Sequence, residues 1–541
     1  MLPTNVRLAH VAAEQSSEVI QSNSKNYVLG GVKAYMQQEK DSLHSTHSKN
    51  SKQSALSTRT AQSARAKQSV RSAQSVHSEK AAQSAHSEEH RKKTQTTQTA
   101  EIDYVKAPIP KLYRRLLPSA IGSLLTATVA SFIDVVILSH YLGPGMLAIV
   151  SLCMPIYMLV NTLSMLIASG ASTLYAQYLG EGDKQEALRY FSVSVVHSLI
   201  CGVVLTVVGL LFTDPVVRLL GANDAVAAQT AEYAHVLFFF MIPLMIYVLL
   251  LFFVRIDNDP TRVLAATSVC AGVNLVLDIL FVGPLHLGVK GAALATCLAY
   301  TLGMIVNLTH FISRKNTLKF IKRCLQGRSL RVWRIGLPLA ASQLGMTVST
   351  QIFNNTVIRV GNEDYVAVYG VVIQLTMISM AIYEGVGQAS QPMLAAAYGA
   401  GRWKRIRRVF LYGLRLELIG TVALALFYFL AANPVAGLFS IKEGALMDLA
   451  LTAIRIYALS LPMTGVNSII MYYFQAQEKT GRALLISLLY SSVLLIAALM
   501  ILVALFREKA IWGSYPVAQA LALVVSLLML RRNQNERRTH K

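Results

Sequence analysis

From Pro110 to the C-terminus the chain is a succession of apolar segments, each close to the ~20 residues that a helix needs to cross a bilayer. They fall at about 116–139, 146–170, 190–212, 233–254, 263–283, 291–312, 335–358, 366–396, 409–431, 449–474, 483–506 and 513–530. A membrane interior offers no water to satisfy backbone N–H and C=O groups, so a run this long and this apolar has one solution, a spanning helix. The pattern predicts an all-α membrane protein with twelve transmembrane helices and both chain ends on one side. A soluble fold is excluded by composition: only 14% of the 541 residues are charged against 54% hydrophobic, too little charge to cover a surface in water.

The formal net charge of +22 would suggest a nucleic-acid partner until the charges are located. Connections on one side of the predicted helices, with the C-terminal tail, hold 24 Lys and Arg; those on the other side hold six. Basic residues concentrate in cytoplasmic loops, so this asymmetry orients the chain with both termini cytoplasmic in a cell (inner or plasma) membrane. Membrane orientation then accounts for the basic excess, and no nucleic-acid role is needed. Residues 1–105 read as a disordered cytoplasmic tail, rich in Ser, Gln and Lys and too polar to offset the entropy of ordering. The tail has no apolar core of a signal peptide. Residues 313–334 form a basic cytoplasmic linker and 531–541 a basic cytoplasmic tail. The five cysteines are scattered, with no CxxC pair and no metal-ligand spacing, so neither a disulfide framework nor a metal site nor a cofactor is expected.

Punctuation recurs along the chain at a nearly constant offset. Pro118 in LPSAIGSL answers Pro338 in LPLAASQL at 220; Gly180 and Gly182 answer Gly399 and Gly401 at 219. Pro243 answers Pro462 at 219, Arg262 answers Arg482 at 220, and Gly291 answers Gly513 at 222. Five matches in order imply two six-helix repeats, an N-lobe over 106–312 and a C-lobe over 335–530. Six is even, so the repeats run parallel, related by an axis along the membrane normal, as in some secondary transporters.

These residues also carry a resemblance. SFIDVVILSHYLG, GASTLYAQYLGEGDKQEA, RIDNDPTRVLAATSVCAGVNLVLDILFV and GVKGAALAT in the N-lobe resemble signatures of the MATE (multidrug and toxin extrusion) family. GQASQPMLAAAYGAGR and FQAQEKTGRALLIS in the C-lobe resemble its bacterial branch of DinF- and MepA-type exporters. The resemblance covers about 110–530. It implies a secondary active antiporter, not an enzyme, that exports organic cations or lipophilic drugs in exchange for H⁺ or Na⁺ by alternating access. The partners expected are a small-molecule substrate and membrane lipid, with the protein a monomer.

Ionisable groups in mid-membrane cost at least ~2.5–3.5 kcal/mol, which makes them functional candidates by default. Asp134 in the first segment, Asp278 in the fifth and Glu384 in the eighth stand out. Asn274 is four residues before Asp278, on the same helix face, where it can donate to the carboxylate or share a cation with it. Thr296, in the sixth segment, would add a hydroxyl oxygen. The resemblance implies that Asp134, Asn274, Asp278 and Thr296 form a cation or proton coupling site in the N-lobe. Glu384 and Gln388, one turn apart, are candidates for substrate contact in the C-lobe. Glu417, two residues after Arg415, reads as an interfacial anchor. NorM-type relatives carry acids in helices seven and ten that are linked to Na⁺; the seventh segment here has none and the tenth has Arg455, which favours N-lobe, proton coupling. A flippase for lipid-linked oligosaccharides in the same wider superfamily is the alternative, though it should show a strongly cationic cavity. No HExxH, GxSxG or P-loop string supports a membrane enzyme or an ATP-driven pump.

Overall fold

The computed structural model describes residues 103–322, 324–439, 441 and 444–539. The disordered tail expected over 1–105 therefore lies outside the described residues as far as 102. Its last residues belong to the fold: Tyr104 is buried and its hydroxyl donates to the Ile256 carbonyl at 2.8 Å.

Among the described residues the chain is helical throughout, without strands. Ten helices are long and apolar enough to cross a membrane. We label them with their neighbours as α1 (Ile109–Leu142), α2 (Ile149–Glu181), α3 (Lys184–Leu211), α5 (Pro260–Val282), α6 (Gly288–Ile312), α8 (Glu363–Gly399), α9 (Trp403–Leu430), α10 (Ala445–Gln475), α11 (Thr480–Phe506) and α12 (Ala510–Glu536). The broken span α4 joins Ala227–Phe239 to Met241–Ile256 across a bend of 52°. The twelfth, α7 (Ser329–Val360), has the length but is more polar, carrying Gln343, Gln351, Asn354 and Asn355.

The repeated punctuation has a backbone cause. Gly182 and Gly401 follow α2 and α8 with φ of 90° and 64°, the left-handed conformation that glycine adopts without steric cost. Asn258 and Glu478 occupy matching turns after α4 and α10, also with positive φ, at 70° and 57°. Pro243 sits just past the bend in α4, and Pro462 just past an interruption in α10 between Ala458 and Leu461. Short helices at Thr213–Leu219 and Ala432–Leu438 repeat the same spacing.

One buried cluster joins the two halves, with Tyr113, Leu116 and Leu174 packed alongside Met393, Leu394 and Tyr472. Separate clusters fill the far ends of the first half (Ile149, Leu237, Met245) and of the second (Phe353, Tyr369, Trp512). The joining cluster lies towards the face that bears the basic connections.

Candidate functional site

The structure brings the four first-half candidates together. Asn274 Nδ2 donates to Asp278 Oδ2 at 2.7 Å and reaches Thr296 Oγ1 at 3.5 Å. Asp278 is fully buried, whereas Asp134, Asn274 and Thr296 are half-buried. The Asp134 and Asp278 carboxyls lie within electrostatic reach of each other across α1 and α5. Oδ1 of each has no protein partner. Two carboxyls, an amide and a hydroxyl thus converge with spare oxygens, a set that can trade a proton for a small cation. Tyr157 of α2 and Tyr233 of α4 come within electrostatic reach of Asp134, and the Tyr157 hydroxyl is bonded to that of Tyr300. Nothing in their local sequence marks these tyrosines, because aromatic residues are common in spans.

In the second half Glu384 is buried on α8, and its Oε2 accepts a hydrogen bond from the Tyr472 hydroxyl at 2.5 Å. It lines a cavity of about 60 Å³ with Ser342, Tyr383, Thr464, Tyr490 and Gln519. Gln388 is one turn nearer the basic face and also buried. Its Oε1 accepts from Arg255 Nη1 at 2.8 Å, while Arg255 Nη2 donates to Ser123 Oγ at 3.0 Å. The amide oxygen of Gln388 is therefore engaged by a guanidinium from the other half. By sequence Arg255 falls in a connection, but α4 continues through Ile256 and carries it inward to 4% exposure. Glu417 needs a larger correction. It is not an interfacial anchor: it is 0% exposed, because α9 starts at Trp403 and so places it about 21 Å along the helix. Arg415, two positions back, points to a different face.

The halves meet through glycine. A Cβ on Gly170 of α2 would overlap the Val332 carbonyl oxygen of α7, and one on Gly336 that of Leu166. Gly180 stands equally close to the carbonyl of Ala396 on α8, and Gly399 to that of Gln177. Hydrogen bonds reinforce the seam: Gln391 Nε2 to Thr173 Oγ1 at 2.6 Å, Gln475 Nε2 to Ser169 Oγ at 2.8 Å, and Gln177 Nε2 to the Ala476 carbonyl at 3.0 Å. All lie towards the basic face. Along α1 burial varies: Leu116 and Ala120 are 0% exposed, Val129 and Val136 are 53% exposed, and Leu138 is again buried at 2%.

A cap of charges covers the basic end of the first half. Asp257 Oδ2 meets His310 Nε2 at 2.8 Å and accepts from the Thr317 amide at 2.8 Å. Asp259 pairs with Arg262 at 2.8 Å and Lys315 at 2.9 Å. Burial pushes the Asp259 carboxyl upward, but hydrogen bonds from Arg262 and Lys315 outweigh it and hold the group below the usual carboxylate range.

Comparison with known proteins supplies the context. The chain is 23% identical over 433 residues to the multidrug export protein MepA of Staphylococcus aureus strain MRSA252, covering 79% of this chain and 94% of that protein. It is 22% identical over 417 residues to MepA of Staphylococcus haemolyticus strain JCSC1435, covering 76% and 91%. A solved outward-facing conformation of a multidrug resistance MATE family transporter of the MOP superfamily superposes with a TM-score of 0.76 at 26% identity, over 80% of this chain and 98% of that one. A MOP superfamily transporter from Pyrococcus furiosus, described as having a binding pocket of reverse polarity, gives 0.74 at 25% identity, over 80% and 98%. The MatE family model matches residues 118–280 and 338–511, one match in each six-helix half. On that twofold match, the chain belongs to the MatE family of multidrug efflux transporters, multi-pass membrane proteins rather than enzymes.

Proposed function

We propose that this chain is an antiporter that expels organic cations or lipophilic compounds in exchange for H⁺, or for Na⁺, by alternating access. The carrying observation is the convergence of Asp134, Asn274, Asp278 and Thr296, with two carboxylate oxygens unpartnered. In this reading the basic face is cytoplasmic and both termini lie on it. An ion from outside enters between α1 and α5, loads Asp134 and Asp278, and favours the conformation that releases substrate; by linkage, substrate loaded from inside favours ion release. Glu384, lining the second-half cavity, is the acid that meets the cationic part of the substrate. The protein works as a monomer in the plasma membrane with no cofactor.

The test is export of tetraphenylphosphonium from proteoliposomes under an imposed pH gradient, and separately under an imposed Na⁺ gradient. Asp134→Asn and Asp278→Asn should each lower gradient-driven export at least tenfold. Undiminished, still gradient-driven export in both variants rejects the coupling site.

A further inference from the structure

The chain leading into the first helix of each half is tied to the third helix of the other half. Ahead of α1, Asp103 Oδ1 accepts from the Val105 and Lys106 amides at 2.9 and 2.8 Å, which folds residues 103–108 into a turn. That turn presents backbone carbonyls to the start of α9. Arg405 Nε donates to the Tyr104 carbonyl at 3.0 Å and its Nη2 to that of Ala107 at 2.6 Å. Arg402 Nη1 donates to the Val105 carbonyl at 3.3 Å. The Tyr104 ring is buried, and its hydroxyl is fixed to the end of α4 through the Ile256 carbonyl. Residues 103–108 are therefore held by both halves at once.

Ahead of α7 the arrangement recurs with the halves exchanged. The Ile321 amide donates to Ser192 Oγ on α3 at 2.8 Å. Arg328, at the start of α7, grips Glu186 in the first turn of α3 with two bonds: Nε to Oε1 at 2.6 Å and Nη2 to Oε2 at 3.0 Å. Ser329 Oγ meets His197 Nε2 of α3 at 3.0 Å. Leu318 and Cys324 are buried in the cluster that joins the halves, as Tyr104 is. Glu186 and Arg405 are 219 residues apart, so matching positions on α3 and α9 carry the two ties. The chemistry is reversed: the helix offers an acid in the first half and an arginine in the second.

These ties differ in kind from the glycine seam. At the seam backbone packs on backbone with no room for a Cβ. The ties are made largely by side chains at helix starts, Arg402 exposed and Arg405 and Arg328 half-buried, so water replaces a broken bond at little cost. The starts of α1 and α7 cannot leave α9 and α3 until both ties let go. We propose that residues 103–108 and 321–328 are paired latches that hold the basic face shut, and that their release sets how often that face opens. The opening belongs to the alternating access proposed above, but the latches are tested without any transport.

Pulsed electron paramagnetic resonance on the purified full-length protein reads the separation directly. Spin labels go on Gln185→Cys and Lys404→Cys, exposed at the starts of α3 and α9, with the native cysteines replaced by alanine. Arg402→Ala with Arg405→Ala, or Arg328→Ala alone, should each raise the long-distance population about threefold, and the triple variant more than either. Arg189→Ala, which removes a partner of Glu186 within α3 and crosses to nothing, should leave the distribution as it is. Hydrogen–deuterium exchange over 103–108 and 321–328, measured with the native cysteines in place, should rise in the same latch variants and stands in if the alanine background fails to fold. A folded triple variant with unchanged distances and unchanged exchange overturns the proposal. Failure of the export reading would look different: the triple variant would still open, while neither tetraphenylphosphonium nor a change of pH moved the wild-type distribution.

Discussion

The two halves share a skeleton and differ in their chemistry. Positive-φ turns, helix breaks and short helices recur about 219 or 220 residues apart, yet none of the membrane acids does. At an offset of 220, Asp134 is answered by Asn354 and Asp278 by Ala498; at 219, Glu384 is answered by Met165 and Glu417 by Ser198. In the first half the acids lie within reach of each other across α1 and α5, and Asp278 accepts from Asn274. In the second they are sealed deeper, one held by Tyr472 and one by nothing. The two halves repeat one backbone, and the acids make them unequal. In the proposed antiport, that inequality lets each half answer to a different ligand.

The seam is where the likeness of the halves is under most demand, and it should break first. Gly336→Val or Gly170→Val places a branched side chain against a backbone carbonyl that cannot retreat without parting α2 from α7. The expected result is loss of monodisperse protein in size-exclusion chromatography. Gly272→Ala on α5, with open space at its Cβ, should behave as wild type. If Gly336→Val folds and exports normally, the seam is not the fixed point of the two halves.

The charged cap sets the first half apart from the second at the basic face. Asp259 is 3% exposed and faces Arg262, Lys315 and His310, with Asp257 beside it. Replacing it with Asn removes one partner from these cations and should destabilise by about 2 kcal/mol, since the cations remain partly hydrated. The pH dependence has a definite sign. A carboxyl held below its unfolded value stabilises the fold above that value, about pH 4, and the contribution disappears as pH falls through the depressed folded value. Thermal unfolding of wild type should weaken on acidification below about pH 4, and Asp259→Asn should flatten that part of the profile. An equal acid slope in both proteins would show that the cap is not what acid opens.

Asn274→Ala probes the coupling site that only the first half carries. It deletes the 2.7 Å donor to Asp278 and leaves both carboxyls in place. A hydrogen bond to a charged group contributes about 1.5–3 kcal/mol, so its loss favours the protonated carboxyl, and proton-driven export should reach half-maximal rate at about a tenfold lower proton concentration.

Much of this arrangement is legible in the sequence. Span length and apolarity predict the helices, the Gly and Pro offsets predict the duplication, and a carboxylate within an apolar run is visible because its insertion cost is so high. Asn274 and Asp278 can be paired on paper since a four-residue spacing fixes a shared face. Glu417 cannot be read correctly, because its depth depends on where α9 begins, and the basic stretch Arg402–Arg408 hides a helix start at Trp403. Arg255 is misplaced by the same kind of error at the end of α4. The seam is invisible for a different reason. A glycine that permits contact between helices 166 residues apart, as Gly170 does for Gly336, is in the sequence the same as any glycine in a span.

The smallest effect should come from the one charge device that the halves hold in common. Arg115 Nη2 donates to the Asn258 carbonyl at 2.8 Å, and Arg331 Nη2 pairs with Glu478 at 2.6 Å, each arginine near the start of the first helix of its half and each partner at a matching positive-φ turn. The Arg331 and Glu478 side chains are 37% and 26% exposed, so water competes for both. Glu478→Gln should therefore cost no more than about 1 kcal/mol, a shift of a few degrees in thermal unfolding that added salt mimics in wild type. Glu478→Gly distinguishes the turn from the charge, because glycine removes the ion pair while relieving the left-handed backbone of a residue with a Cβ. If the glycine variant matches or exceeds wild type in stability, the turn governs and the ion pair is incidental. If it falls below the glutamine variant, the side chain at 478 holds α7 to the α10–α11 turn through more than its charge.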